Sequence, residues 1–473
     1  MRDFIGWIEY EGGPTPEIIQ AMISEHDTQR KRMKAQYDRY AAEVEAVPIL
    51  TRQLMQGGEA YNAEHIQRVD TMVNNTLNNT FDSEIVNTKV GYMFGIPITY
   101  DVDKVAASYE TLKDLLKTFN LRNSVEDKDS EWGKKAAICG YGARLCFIDK
   151  EKNERVMNVE PWEVFILSET GNIAEPTYAL RYYSQTRYDG ETVLVACFYD
   201  AKHMYRFEAA KSSDYTLVDT KLHMFDYCPL FGLPNNEELK GDAEKVYNLI
   251  DAYDRTFSDA SNEIEQYRLA YLVLRGMGLS DEAREELKHN GVFNLFNETD
   301  DVKYLTKDIN DNLIEHHLDR LEENILRLAS SVNFGDGTFG TQITGVALKY
   351  KLTALESKCM TMERKTASAL RYQMKVLCSS WSKRHSIGTE DYLQVFTTFT
   401  RNIPLDLLTE AQTTVSLQGA VSERTRLAAL PIVDDVDYEI EEMKKESAMF
   451  EEIQSPFTDD ESEDSQGKDK AAE

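Results

Sequence analysis

Cysteine is scarce in this chain of 473 residues: the six, Cys139, Cys146, Cys197, Cys228, Cys359 and Cys378, have no repeated short spacing. That argues against a disulfide scaffold and for reduced, buried thiols in a cytosolic setting. Long apolar runs are missing as well. No stretch approaches the ~18 residues that a bilayer-crossing helix needs, so membrane insertion is not expected. Met1-Arg2-Asp3-Phe4 lacks the basic-then-apolar pattern of a secretory leader, and none is expected. Basic residues are outnumbered, 53 Lys and Arg against 82 Asp and Glu, for a formal net charge of -29 at pH 7. From Glu451 onward nine acids face two lysines, which leaves -22 on the rest of the chain. Such a surface repels free nucleic acid over most of its area and argues against a wrapping or groove-reading DNA binder. It leaves room for a channel through which DNA slides without being gripped.

What is present points to a folded α+β protein. Apolar residues make up 42% and charged residues 29% of the chain, and its length suits two to four domains or one elongated multi-part subunit. Residues 15–45 read as a polar helix with the basic patch Arg30-Lys31-Arg32-Met33-Lys34, and Tyr61–Asn75 is polar and loosely periodic. Phe81, Ile85, Val86 and Val90 form a buried helix stripe that Gly91, Gly95 and Pro97 end. Leu112, Leu115, Leu116 and Phe119 mark a helix over 106–121, and Trp132–Cys139 another. Short alternating runs at 143–148, 155–159, 179–183, 192–199, 204–207 and 215–218 read as strands. Residues 50–236 thus form one α+β domain behind an N-terminal helical segment, 1–49.

Long amphipathic helices follow. Over 237–268, Val246, Leu249, Ile250, Tyr253, Phe257 and Ile264 share a stripe, with Asp242, Glu244, Asp251, Asp254 and Asp259 largely off it. Over 311–331, Ile314, Leu318, Leu321, Ile325 and Leu328 recur at packing-seam spacing. The two enclose an insert, 269–310, with strands at 270–274, 292–296 and 302–306 and a short helix at Asp281–His289. After a glycine-rich stretch, a helix over 344–383 carries Leu348, Leu352, Leu355, Cys359, Met362, Leu370, Met374, Leu377 and Trp381. At ~1.5 Å per residue it spans roughly 55 Å. The remainder to about Met449 reads as a strand pair or turn with short helices, Ser422 opening one and Asp434-Asp435-Val436-Asp437 leading into the last. The acidic tail, 451–473, reads as disordered.

Candidate chemistry is thin. Asn333-Phe334-Gly335-Asp336-Gly337-Thr338-Phe339-Gly340 has glycine spacing similar to a phosphate loop, yet no Lys-Ser/Thr follows and it joins two helices rather than following a strand. A flexible or closely packed connection explains it better, with Phe334 and Phe339 packing against neighbours. His316 and His317 are adjacent and point to different faces. His203 and His223, near Cys197 and Cys228, lack the tight spacing of a zinc site. Asp434, Asp435 and Asp437 lack the glycine turn of a calcium loop, and acid pairs such as Glu322-Glu323 and Glu441-Glu442 read as surface patterning. No catalytic residue, metal ligand or cofactor is assigned. The helix after the glycines differs: Lys349, Lys351, Lys358, Arg364, Lys365, Arg371 and Lys375 stand against Glu356 and Glu363. In an acidic protein such an element faces an acidic neighbouring subunit or, in part, DNA itself.

Several stretches together resemble the portal proteins of tailed bacteriophages of the siphophage, SPP1-like type. They are Ile85 to Tyr100 (IVNTKVGYMFGIPITY), Leu233-Pro234-Asn235-Asn236 with Gly241-Asp242, Leu249-Ile250-Asp251-Ala252-Tyr253-Asp254, and Asn333-Phe334-Gly335 with Thr344-Gly345-Val346-Ala347-Leu348. The resemblance reaches up to the acidic tail and implies an elongated multi-part portal subunit. In it 50–236 is a wing, 237–268 and 311–331 are paired stem helices, 269–310 is a clip, 332–343 is a tunnel loop, 344–387 is a wing helix and 388–450 is a crown. It further implies a non-enzymatic homo-oligomeric ring, typically of twelve, at one capsid vertex in the virion, assembled in the host cytoplasm. Double-stranded DNA passes through such a ring, which meets the terminase large subunit, then the head-tail adaptor, and sits among the major capsid and scaffolding proteins. The rivals are a nucleic-acid-processing enzyme or motor subunit, disfavoured because no Walker lysine or acidic metal cluster appears, and a coiled-coil scaffold, whose heptads the sheet region would interrupt.

Overall fold

The computed structural model describes residues 2–52, 74–210, 214–267, 271–275, 301–305, 311–333, 345–402, 412, 414–427, 433 and 436–454. The expected helix Asp281–His289, the strand at 292–296, Phe334 to Gly340 of the glycine-rich stretch, the tail beyond Gln454 and most of 61–75 lie outside them. The described residues confirm a mixed α+β fold in two units, Met1–Asn402 and Ile403–Glu473.

Two helices open the first unit. α1 (Phe4–Glu11) starts where the Asp3 carboxylate accepts from the Gly6 amide, and α2 (Pro16–Tyr40) starts where Thr15 accepts from Ile18 with proline at the first turn. α2 is polar on average, as its sequence reads, but Ile18, Ile19, Met22, His26 and Met33 are buried. α3 (Phe81–Phe94), β1 (Thr99–Val102), α4 (Tyr109–Asn123) and α5 (Val125–Cys139) follow. Next come β2 (Tyr141–Ile148), β3 (Glu154–Val159), β4 (Val164–Leu167), β5 (Tyr178–Thr186), β6 (Thr192–Tyr199), β7 (His203–Ala209), β8 (Thr216–Leu222) and β9 (Leu230–Pro234).

The strands make an antiparallel five-stranded sheet ordered β4-β5-β6-β7-β8 and a three-stranded sheet ordered β3-β2-β9. Their alternation sends side chains to opposite faces. Phe165, Leu180, Tyr182, Phe198 and Phe207 pack against α1 and α2 on one side of the larger sheet. Ala179, Val195, Cys197 and Tyr199 join Tyr141, Ala143, Leu145 and Leu230 in a second core. Gly140, with φ 93°, makes the turn into β2, and a Cβ there would lie 2.1 Å from the Leu239 carbonyl oxygen. Only glycine allows both the turn and that close approach.

The long helices then leave this body. α6 (Tyr247–Tyr267) starts about ten residues later than the stripe predicted, after a short 3-10 turn at Glu244–Val246. The reason is local. Asn236 accepts from the Lys240 amide at 2.8 Å, the Asn235 amide side chain donates to the Lys240 carbonyl at 2.9 Å, and Asp242 donates its amide to Ala137. Side chains that capture nearby backbone compete with helix formation.

β10 (Tyr271–Arg275) and β11 (Asp301–Leu305) pair antiparallel, and α7 (Asp311–Leu328) runs back. α8 (Gly345–Trp381) buries Leu352, Leu355, Cys359, Met362, Leu370, Met374, Leu377 and Trp381, the expected rhythm. β12 (Val395–Thr398) pairs with β1, a closure across nearly three hundred residues that no local pattern signals. In the second unit, α9 (Glu423–Leu427) follows Ser422, whose hydroxyl accepts from Thr425, and α10 (Val436–Gln454) is the last helix.

Candidate functional site: the helix junction

The paired helices meet the body in an apolar knot of Phe81 and Ile85 from α3, Ala243, Val246 and Ile250 around the start of α6, and Ile325 and Ala329 at the end of α7. Phe81 packs edge-on against Tyr253, ring centroids 5.0 Å apart. Fully burying the phenylalanine, valine and isoleucine side chains contributes ~1.5–3 kcal/mol each, which ties the pair to the body. Ile264 and Leu328, read from the sequence as stripe positions, are 65% and 54% exposed in the single chain.

Three polar networks surround the knot. In the first, Arg39 donates to Asp82 (3.0 Å) and Asp251 (2.6 Å), and its guanidinium lies 4.3 Å from the Tyr247 ring centre. Burial pushes Asp82 up to about 6; Arg39 offsets part of this, while Asp251 and Asp254 add to it.

In the second, side chains four residues apart on α6 bind amides two residues apart in the segment ahead of α3. Asn262 Oδ1 accepts from the Asn75 amide (2.7 Å), Ser258 Oγ from Leu77 (3.0 Å) and Asp254 Oδ1 from Asn79 (3.0 Å). Asp254, Ser258 and Asn262 are all buried. Each rung advances ~6 Å along the helix and ~6.7 Å along a chain near full extension, so three rungs stay in register, antiparallel.

The third is a buried charge cluster. Lys89 on α3 donates to Asn235 (2.6 Å) and pairs with Asp242 Oδ2 (3.1 Å). Lys358 on α8 pairs with Asp242 Oδ1 (3.2 Å) and donates to the Ala329 carbonyl (2.8 Å). Burial alone raises Asp242, but Lys89, Lys358 and Asn235 more than offset it and hold the carboxyl below its ordinary range.

Asn333 donates its side-chain amide to Glu322 (3.0 Å), while Phe334, Gly335, Asp336, Gly337, Thr338, Phe339 and Gly340 lie outside the described residues. Of the basic positions on α8, Lys351 and Arg364 are exposed, Lys365 pairs with Glu237, and the Lys349 side chain lies outside the described residues. The Lys358 ammonium pairs with Asp242 and donates to the Ala329 carbonyl of its own chain. The acids off the α6 stripe are committed too: Asp251 to Arg39, Asp254 to Asn79, Asp259 to Arg52. Sequence reading missed Lys89, Asn235 and the three ladder residues, although the spacing 254, 258, 262 was itself a signal of a second, polar helix face. Glu356 and Glu363 both receive Arg401, at 3.0 and 2.6 Å. His223 bonds the Asp200 carbonyl and His203 approaches the Asp200 carboxylate. Among the described residues no three His, Cys, Asp or Glu side chains converge as a metal set, and no helix is long and apolar enough to cross a membrane.

Among the described residues, then, a long helix pair is rooted in an α+β body through buried apolar contacts and internally paired charges. The model of the SPP1 Gp6-like phage portal protein family matches residues 19–452, and the chain belongs to that family. It is 23% identical over 471 residues to the portal protein of Bacillus phage SPP1, covering 95% of this chain and 90% of that protein. It is 24% identical over 413 residues to the portal protein of Clostridium phage phiCD119, covering 81% of this chain and 88% of that one.

Proposed function

We propose that the chain is the non-enzymatic subunit of a ring, of about twelve copies, at one vertex of a phage capsid, through which double-stranded DNA enters during packaging and leaves on ejection. The match of the family model across residues 19–452 carries this reading. In it residues 50–236 are the wing behind an N-terminal helical segment, 1–49, with 344–387 a wing helix; 237–268 and 311–331 are the stem and 269–310 is the clip. That clip docks the terminase large subunit, which supplies the ATPase, and later the head-tail adaptor. Residues 388–450 are a crown facing the capsid interior, with major capsid and scaffolding proteins around the ring, and 332–343 is a tunnel loop at the constriction.

Charge supports the reading. Every phosphate neutralised adds affinity through counterion release, and a translocating channel must avoid tight binding; a chain of net charge -29 meets that need. The exposed apolar positions Ile264 and Leu328 would find cover in neighbouring copies. Negative-stain imaging of the purified protein tests the ring directly: a holed ring is expected, and a monomer or filament under all assembly conditions refutes it. Deleting 332–342 tests the loop, with loss of packaging or of DNA retention expected and unchanged particles refuting the assignment.

A further inference from the structure

Lys358 is the point where three elements meet. It sits on α8, the helix after the glycine-rich segment, and reaches back to the Ala329 carbonyl just past the end of α7. The same nitrogen pairs with Asp242, immediately ahead of the turn that opens α6. Asp242 is gripped from its other side by Lys89, so two ammonium groups share one buried carboxylate. Interior ion pairs of this kind lose solvation that their attraction seldom repays in full. Burial indeed lowers the Lys358 pKa, with Lys89 adding to the effect and Asp242 only offsetting it. A methionine would fill similar volume but leave the buried Asp242 with Lys89 as its remaining cation, so charge balance is one reason for a lysine here. The geometry is a better one: only a long cation reaches both the carbonyl and the carboxylate. Lys365, two turns further along α8, pairs instead with the exposed Glu237, ahead of α6.

We propose that Lys358 is a positioning residue that makes the end of α7, the entrance to α6 and the helix α8 move as one body, so that a displacement beside the glycine-rich segment is passed to both paired helices. Its purpose rests on the channel reading; its geometry does not. Hydrogen exchange on the purified full-length protein reads the coupling through two sets of amides. Ala329, Ser330 and Ser331 bond carbonyls in the last turn of α7, and Val246 bonds Ala243 at the entrance to α6.

Lys358→Met is expected to speed exchange about tenfold in both sets, Lys358→Arg to stay within about threefold of wild type, and Lys365→Met to change neither. Acceleration in only one set, in neither, or equally in the Met and Arg variants overturns the proposal. Should Lys358→Met yield no folded protein, Lys358→Gln serves the same comparison. In particles built with Lys358→Met, rings at wild-type yield with a changed packaged DNA length are expected, and wild-type filling despite altered exchange overturns the transmission claim. If the wild-type protein forms no ring, the channel reading fails while the exchange result stands or falls on its own.

Discussion

The polar ladder along α6 makes a quantitative prediction. Ser258 is fully buried and its hydroxyl accepts the Leu77 amide at 3.0 Å; Asp254 accepts both the amide and the side-chain nitrogen of Asn79. Removing the acceptor of a buried donor costs about 1–3 kcal/mol. Leu77 is half-buried, so the loss lies at the low end, ~1 kcal/mol; because 1.4 kcal/mol is tenfold in an equilibrium constant, Ser258→Ala should raise the opening equilibrium at Leu77 roughly 5-fold. Asp254→Ala orphans two donors and should exceed that at Asn79. Asp254→Asn keeps an acceptor oxygen and should cost least, under about 1 kcal/mol. Hydrogen exchange with residue-level fragmentation supplies the readout, and amides in the central strand β6 serve as the control for global unfolding. Wild-type exchange at Leu77 and Asn79 in Ser258→Ala and Asp254→Ala would refute the ladder. So would acceleration that spreads equally to β6, because the rungs are argued to act locally.

Other outcomes follow from the buried charges and thiols. Arg144 is fully buried, with bonds to Asp129 (2.7 Å), Gln373 and Asn158 and its guanidinium 3.9 Å from the Trp132 ring centre. Arg144→Met leaves Asp129 without its cation and should destabilise by about 3–5 kcal/mol in urea unfolding, with Asp129→Asn in the same chain recovering part of the loss. Asp82, raised to about 6, binds its proton more tightly in the folded state; its contribution is therefore fully present below the ordinary carboxylate pKa and is lost as pH rises through about 6. Asp82→Asn should accordingly gain on the order of 2–3 kcal/mol over wild type at pH 7 and nothing at pH 3.5; a difference independent of pH refutes this. All six cysteines are free and buried, and burial pushes Cys146, Cys228 and Cys378 up to about 12. No thiol should react with Ellman's reagent in the native protein, and all six should react in denaturant.

Element type was largely legible. Six strands of the body and α3, α7 and α8 lie close to where period and punctuation put them, because apolar spacing directly records which side a strand or helix buries; β4 and β9, short and without polar alternation, were not read as strands. Boundaries failed where side chains recapture backbone, as at 235–242 ahead of α6. Partners failed more broadly. A lysine on a long helix reads alike whether it faces solvent, another copy or a buried aspartate, so Lys358 and Arg364 were indistinguishable until the fold put Asp242 beside only one of them.

The sequence by itself determined the mixed α+β class, the long amphipathic helix pair and the acidic balance, which are written in composition and short-range periodicity, while the kinship with phage portals rests on the resemblance of stretches such as Ile85 to Tyr100 and on the family match. Tertiary structure decided which charges meet. Asp242 between Lys89 and Lys358, Arg39 between Asp82 and Asp251, and the rungs from α6 to residues 75–79 join positions far apart in the chain. Coulomb and hydrogen-bond energies depend on distance and burial, and neither exists until the chain has folded.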